Sequence, residues 1–271
     1  MLKLNDNVIY QKRFPDGTLN MKVNIQKYEP INVIEWRYED DSELFSLICL
    51  TKKVKDRWNS DALVRLYLPY IPHARMDRVH DIDDVFTLKY FAETINSLGF
   101  DRVLVDDPHS SVAAALIDRL EVTNLYFTFE EVLDRMYHRS GDEVADEAFT
   151  VCYPDEGSMK RYSGMIKEPY VFGVKRRDWA TGKILGLDII DNFDLVKGQD
   201  VLIVDDICSR GGTFYHTAKK LKEMGAGDIY LYVTHCENTV LEGDLLEGDL
   251  IKQMFTTRSI FTKQHPKIEV L

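Results

Sequence analysis

Apolar residues gather along this chain in short runs, and the spacing between the runs organises it. Leu63–Leu68 (LVRLYL) reads as a strand, residues 83–98 carry Val85, Leu88, Phe91 and Ile95 at helical spacing, and residues 103–105 read as the next strand. The order recurs in the second half, with a strand at residues 201–204, a helix at 213–224 and a strand at 229–233. The two passages share a layout in which Gly99 and Gly198 precede an acidic entry, an apolar strand and a pair of aspartates, Asp106–Asp107 and Asp205–Asp206. Short apolar strands alternating with helices predict an α/β fold, two similar domains with mainly parallel sheets flanked by helices. Ligands of such sheets sit beyond the carboxyl ends of the strands. Residues 130–147 are polar, acidic and interrupted by Ser140–Gly141, so the domain boundary is placed near residues 127–135, dividing the chain into 1–130 and 131–271. A last strand is expected at residues 255–261 (FTTRSIF).

Composition narrows the possible partners. The 271 residues are 45% hydrophobic and 11% aromatic, enough to bury a sizeable core. With 34 basic against 45 acidic side chains the formal charge is −11, a field that repels nucleic acid and anionic membranes. Any basic cluster therefore has a local purpose. The first residues contain no apolar stretch of signal-peptide length, and no run reaches the roughly 18 apolar residues of a membrane span, so a cytoplasmic protein is expected. Cys49, Cys152, Cys208 and Cys236 are widely spaced without a CxxC pair and read as reduced core or near-site thiols.

The strongest chemical signal is the stretch VLIVDDICSRGGT, residues 201–213. A buried strand delivers Asp205 and Asp206, a loop of small residues follows (Ser209, Arg210, Gly211, Gly212), and a helix starts near Thr213. Backbone N–H groups of such a loop, together with the helix N-terminus, cradle a phosphate, while the aspartates accept hydrogen bonds from sugar hydroxyls. The bland alternative is an ordinary strand-to-helix turn.

This stretch resembles the phosphoribosyl-diphosphate loop shared by type I phosphoribosyltransferases and the ribose-phosphate diphosphokinases, or PRPP synthetases. Further segments are similar to the diphosphokinases alone and stand in their order. Residues 69–78 (PYIPHARMDR) resemble the nucleotide segment PYxxYARQDR, and Asp107–Pro108–His109–Ser110 resembles DLHA. Arg13–Phe14–Pro15–Asp16–Gly17 looks like RFSDGE, Val174–Lys175–Arg176–Arg177 like the catalytic DKRR, and Tyr153–Pro154–Asp155–Glu156–Gly157 like SPDHGG. The resemblance implies two phosphoribosyltransferase-like domains per subunit and an ATP- and Mg-dependent transfer of diphosphate to a ribose 5-phosphate compound. It implies ATP contacts from Phe14, Asp16, Arg75, Asp77, Arg78 and His109, with His109 and Asp155 as metal ligands. Lys175 and Arg177 would be the catalytic cations, Asp205, Asp206 and Ser209 to Thr213 the ribose-phosphate site, and the assembly a homo-oligomer sharing its ATP site between subunits.

Several positions depart from the pattern. Met76 replaces a glutamine, Thr18 a glutamate and Glu156 a histidine, and both ends are shorter than the family's. In the loop, Ser209 stands for an aspartate, Arg210 for a threonine and Gly211 for an alanine. A lost carboxylate, an added cation able to grip a second phosphate and a missing methyl group point to an acceptor that is ribose 5-phosphate or a larger form such as ADP-ribose. The rival readings are a phosphoribosyltransferase, which consumes PRPP, and a non-catalytic regulatory homologue.

Overall fold

The computed structural model describes every residue except 26, 59–61, 124, 139–147, 178–183 and 191–192; the Ser140–Gly141 interruption lies outside the described residues. Two compact units, Met1–Asn124 and Leu125–Leu271, each hold one main sheet. The first unit opens with an antiparallel hairpin of β1 (Leu2–Leu4) and β2 (Asn7–Ile9), then a separate one of β3 (Gln11–Arg13) and β4 (Leu19–Met21). It continues through β5 (Ile31–Trp36), α1 (Glu43–Arg57), β6 (Leu63–Leu68), α2 (Thr87–Ser97), β7 (Arg102–Val105), α3 (Ser111–Leu116) and β8 (Leu120–Val122). The sheet order is β2-β1-β5-β6-β7-β8, with β5 to β8 parallel and β1 antiparallel to β5.

Side-chain period decides what each element buries. Alternate residues Val64, Leu66 and Leu68 of β6 enter a core with Leu47, Leu50 and Val54 of α1 and Leu88, Phe91 and Ile95 of α2. Each such burial contributes about 1.5–3 kcal/mol. The helix expected from residue 83 begins at Thr87. The Asp84 carboxylate accepts the backbone N–H groups of His80 (2.8 Å) and Asp81 (3.0 Å), which folds residues 80–84 into a turn instead.

The second unit runs α4 (Tyr126–Tyr137), β9 (Phe149–Tyr153), α5 (Glu156–Tyr162), β10 (Tyr170–Arg177), β11 (Ile184–Ile190), α6 (Phe193–Val196), β12 (Asp200–Cys208), α7 (Gly212–Glu223), β13 (Ile229–Cys236), β14 (Gln253–Thr256) and β15 (Ile268–Val270). Its order is β11-β10-β9-β12-β13-β14-β15, parallel throughout except for β11, which folds back on β10. Val201 and Ile203 of β12 enter one core and Leu202 and Val204 the other, so the strand is covered on both faces as its unbroken apolar run requires. Helix α4 occupies the polar stretch expected to hold the domain boundary, and buries Phe129, Val132 and Met136 against Val151 and Val204.

The strand expected at residues 255–261 is shorter, covering Gln253–Thr256. The hydroxyls of Thr256, Thr257 and Ser259 all donate to the Thr234 carbonyl (3.4, 2.7 and 3.2 Å), which draws the chain out of the ladder. β15, which the sequence pattern did not indicate, then completes that edge.

The repeated glycine–aspartate layout has one structural meaning in both units. Gly99 (φ 62°) and Gly198 (φ 75°) turn the chain in the left-handed region. Asp101 then accepts the Val64 backbone N–H at 2.7 Å, and Asp200 accepts that of Asp228 at 2.7 Å. Each carboxylate ties the start of its strand to the start of the neighbour.

All four cysteines are free thiols; Cys152, Cys208 and Cys236 are buried, and burial alone pushes Cys152 up to about 12. No helix among the described residues is long and apolar enough to cross a membrane.

Candidate active site

In the second unit the chemistry gathers where β12 passes into α7. β12 extends through Asp205 and Asp206 to Cys208, four residues beyond the run read from the sequence, pairing Asp205 with Val233 and Ile207 with His235. Ser209, Arg210 and Gly211 form the connection, and α7 starts at Gly212. Gly211 is in the left-handed conformation (φ 79°, ψ 10°), and no side chain caps the helix behind it. The first-turn N–H groups of α7 therefore lack the usual side-chain acceptor, the arrangement that receives an anion.

Two expectations about this loop are corrected. Gly211 does not open space for a substrate, because a Cβ there would lie 2.7 Å from Leu245 Cδ2 and 2.8 Å from Leu245 Cβ. The missing methyl makes room for the protein's own leucine. Arg210 does not reach out alone, since its Nη2 donates to Glu242 Oε2 at 2.9 Å. That pair is exposed, 71% and 57% for the two side chains, so it holds the guanidinium only weakly.

Asp206 is buried and accepts a hydrogen bond from Arg161 Nη1 of α5 at 3.0 Å, while Asp205 Oδ1 accepts the Asp206 backbone N–H at 3.0 Å. The same helix is capped by Asp155, whose Oδ1 accepts the Ser158 backbone N–H at 3.0 Å in a reciprocal capping box. α5 thus carries the expected metal carboxylate at its N-terminus and a clamp on the sugar carboxylate near its other end. Lys175 and Arg177 lie on β10, opposite Leu187 and Ile184 of β11, with the register shifting between Arg176 and Arg177. Their side chains lie outside the described part of the structure.

The first unit assembles a second group at the carboxyl ends of β6 and β7. Asp77 is buried and receives Arg78 through Nε and Nη2 (2.8 and 3.2 Å). This forked hydrogen bond, with the hydroxyl of Ser110 and the charge of His109, holds the Asp77 carboxyl below its ordinary value. Asp77, Arg78 and His109 are therefore neighbours, and Arg75 lies exposed on the same segment. Beside them Tyr67 Oη donates to Asp106 Oδ2 (2.8 Å) and Thr123 Oγ1 to Asp106 Oδ1 (2.6 Å). Burial, then the charge of Asp106, raises the Tyr67 phenol. Phe14 and Asp16 occupy the tip of the β3–β4 hairpin. Phe14 is 51% exposed, and Asp16 accepts the N–H and hydroxyl of Thr18 (3.0 and 2.7 Å), which lowers its carboxyl.

No family model matches the chain. It is 31% identical over 227 residues to ribose-phosphate pyrophosphokinase 2 of Archaeoglobus fulgidus, covering 83% of this chain and 74% of that protein. The chain belongs to the ribose-phosphate pyrophosphokinase family. A family member from Saccharolobus solfataricus is 26% identical over 235 residues, 84% of this chain and 76% of its own. Among solved structures, the phosphoribosylpyrophosphate synthetase of Mycobacterium smegmatis shares the fold with a TM-score of 0.75, at 18% identity, over 97% of this chain and 85% of that one. The chain is thus an enzyme of the diphosphotransferase class, built on the two-sheet α/β fold its strand and helix pattern predicts.

Pyrophosphokinase chemistry calls for a divalent cation, and the donor types fit magnesium. Magnesium takes one or two protein ligands and fills its octahedron with phosphate oxygens and water. Asp155 offers a carboxylate beside its capping role and His109 an imidazole, while no cluster of three or more His, Cys, Asp or Glu that could hold a metal occurs among the described residues. Sequence reasoning missed Arg161, Glu237, Thr239, Glu242, Gly243 and Leu245. Glu237 alone had a signal, because it follows the carboxyl end of a parallel strand next to β12.

Proposed function

We propose that the protein transfers the β,γ-diphosphate of ATP to the anomeric hydroxyl of a ribose 5-phosphate compound, either ribose 5-phosphate itself or a 5-substituted form such as ADP-ribose, releasing AMP. The observation that carries this is the junction of β12 with α7, where two aspartates precede a left-handed glycine and an uncapped helix. A sugar phosphate needs that combination of acceptors for its hydroxyls and N–H donors for its phosphate.

In the proposed reaction the anomeric oxygen attacks the β-phosphorus in line. The bond from that phosphorus to the α,β-bridging oxygen breaks, AMP departs with the bridging oxygen, and the hydroxyl proton passes to solvent. Asp205 and Asp206 orient the sugar, Ser209 to Thr213 hold its 5-phosphate, and Lys175 and Arg177 stabilise charge on the transferring group. Phe14, Asp16, Arg75, Asp77, Arg78 and His109 belong to the ATP site, where Asp77 orients Arg78. His109 and Asp155 would hold magnesium, which bound there neutralises phosphate charge. A homo-oligomer in the cytoplasm, with the exposed Phe14 hairpin reaching a neighbour's ATP, accords with this reading. The test is to incubate the protein with ATP, magnesium and each acceptor and to identify the nucleotide released. AMP together with a 1-diphosphate product is expected, and ADP would overturn the reaction type.

Arg161 enters the same reading as a positioning residue. Arg161→Ala removes a charged hydrogen bond from the buried Asp206, and such a bond contributes about 1.5–3 kcal/mol. The KM for the ribose compound is expected to rise about tenfold or more while the KM for ATP stays within about twofold. Arg161→Lys should recover part of the loss. Equal rises in both KM values would indicate general damage instead.

A further inference from the structure

The three residues by which the loop departs from its family each meet one residue of the segment that follows β13. Ser209 Oγ lies 3.2 Å from Thr239 Oγ1, Arg210 pairs with Glu242, and Gly211 makes room for Leu245. The segment is also fastened through the backbone. Glu237 N donates to the Cys208 carbonyl at 2.8 Å, and Gly243 lies so close to Arg210 that a Cβ on it would stand 2.0 Å from that carbonyl oxygen. Loop and segment therefore form one unit, and its hydroxyl chain has a direction.

The direction follows from counting protons. Thr239 Oγ1 lies 3.1 Å from Glu237 Oε2, and a carboxylate can only accept, so the single hydroxyl hydrogen of Thr239 points at Glu237. The Thr239 oxygen then has only lone pairs for Ser209, and the Ser209 hydrogen must point at Thr239. Ser209 Oγ is left with lone pairs alone to turn towards a ligand. It occupies the position of an aspartate in the family pattern and offers the same hydrogen-bonding sense without the charge.

We propose that Glu237, acting through Thr239, makes Ser209 an acceptor and so selects the charge state of the phosphate held by the loop. This rests on the ribose-phosphate reading above and deepens it by naming the acceptor class. Lone pairs turned towards a dianionic terminal monoester repel it, whereas a 5-phosphate esterified to a second phosphate carries one charge and is repelled less. Arg210, held by an exposed glutamate it can exchange, supplies a cation for that second phosphate. The acceptor class assigned is therefore a ribose whose 5-phosphate is substituted, as in a nucleoside-diphosphate sugar, in preference to ribose 5-phosphate.

Three variants test the relay, with ADP-ribose and ribose 5-phosphate as probes under identical ATP and magnesium. Thr239→Val keeps the shape and frees the Ser209 hydrogen. Glu237→Gln supplies an amide that can donate to Thr239, which reverses the chain. Thr239→Ser restores the hydroxyl. The ratio of kcat/KM for ADP-ribose over ribose 5-phosphate is expected to favour ADP-ribose in the parent protein. It should fall about tenfold, the effect of one hydrogen bond, in Thr239→Val and Glu237→Gln, and return in Thr239→Ser. A merely structural role would lower both constants together and leave the ratio in place. An unchanged ratio in both Thr239→Val and Glu237→Gln, or a parent protein that prefers ribose 5-phosphate, would overturn this inference while the ribose-phosphate reading stands. Failure of the parent protein to use either acceptor would overturn that reading itself.

Discussion

Lys175→Ala is expected to lower the turnover number by about 100-fold or more, the scale of losing one strong electrostatic stabiliser of a transition state. Phosphoryl transfer involves little covalent chemistry by the protein, so catalysis rests on positioning and on cations placed where charge develops. Lys175 stands on β10, one residue before the register shift at Arg176/Arg177, and that strand is paired on one side with the core strand β9 and on the other with β11. A bulge of this kind re-aims side chains without undoing the pairing. An alanine there leaves the ladder's backbone bonds intact, so thermal unfolding should stay within a few degrees of the parent protein. KM values for both substrates should change little, because the charge acts after binding. Single-turnover measurement of AMP release checks this directly, and near-normal turnover by a folded variant would move Lys175 out of the catalytic set.

Gly243→Ala is expected to do the reverse, damaging architecture first and activity through it. Gly243 has an ordinary negative φ of −108°, so the backbone itself tolerates alanine. The obstacle is the Arg210 carbonyl, with its oxygen 2.0 Å and its carbon 3.0 Å from the added Cβ. Backbone cannot swing aside as a side chain can, so either the segment after β13 or the loop before α7 must shift. Overpacking of this severity costs about 3 kcal/mol, enough to lower the melting temperature by several degrees. The KM for the ribose compound should also rise, because Arg210 is in the loop. Calorimetry with and without acceptor separates the two effects. A variant with unaltered melting temperature and KM would mean that the segment does not support the loop.

How far the sequence can be read depends on the range over which each signal acts. β6 was legible at its full extent because one apolar run contains the whole pattern, and α7 begins one residue from its expected start because small residues mark it. β12 and β13 run further than their apolar stretches suggest, since their last residues are polar yet still pair across the ladder, Ile207 with His235. α2 starts late because one carboxylate, Asp84, captures two N–H groups locally, and periodicity does not register such a competitor. β1 and β2 are short and polar-flanked, and only the partner strand β5 gives them a reason to form. In the site, the aspartate pair and glycine loop were legible because they are contiguous. The contacts of Ser209 with Thr239 and of Gly211 with Leu245 join residues about thirty positions apart, so Gly211 read as a vacancy when it is a fitted surface.

The two carboxylate ties at Asp101 and Asp200 bear on how such a molecule can change over generations. Both act at the entry ends of parallel strands, whereas the aspartates, the arginines and the phosphate loop lie at the exit ends. A duplicated ancestral unit with its strand alignment pinned at the entry end can lose or exchange residues at the exit end without slipping a sheet. Substitution in the loop therefore alters what is bound before it alters what is folded. The copies are free to diverge in chemistry, one around Asp77 and Arg78 and the other around Asp206 and Ser209, while Gly99 and Gly198, with the aspartates that follow them, mark their common descent.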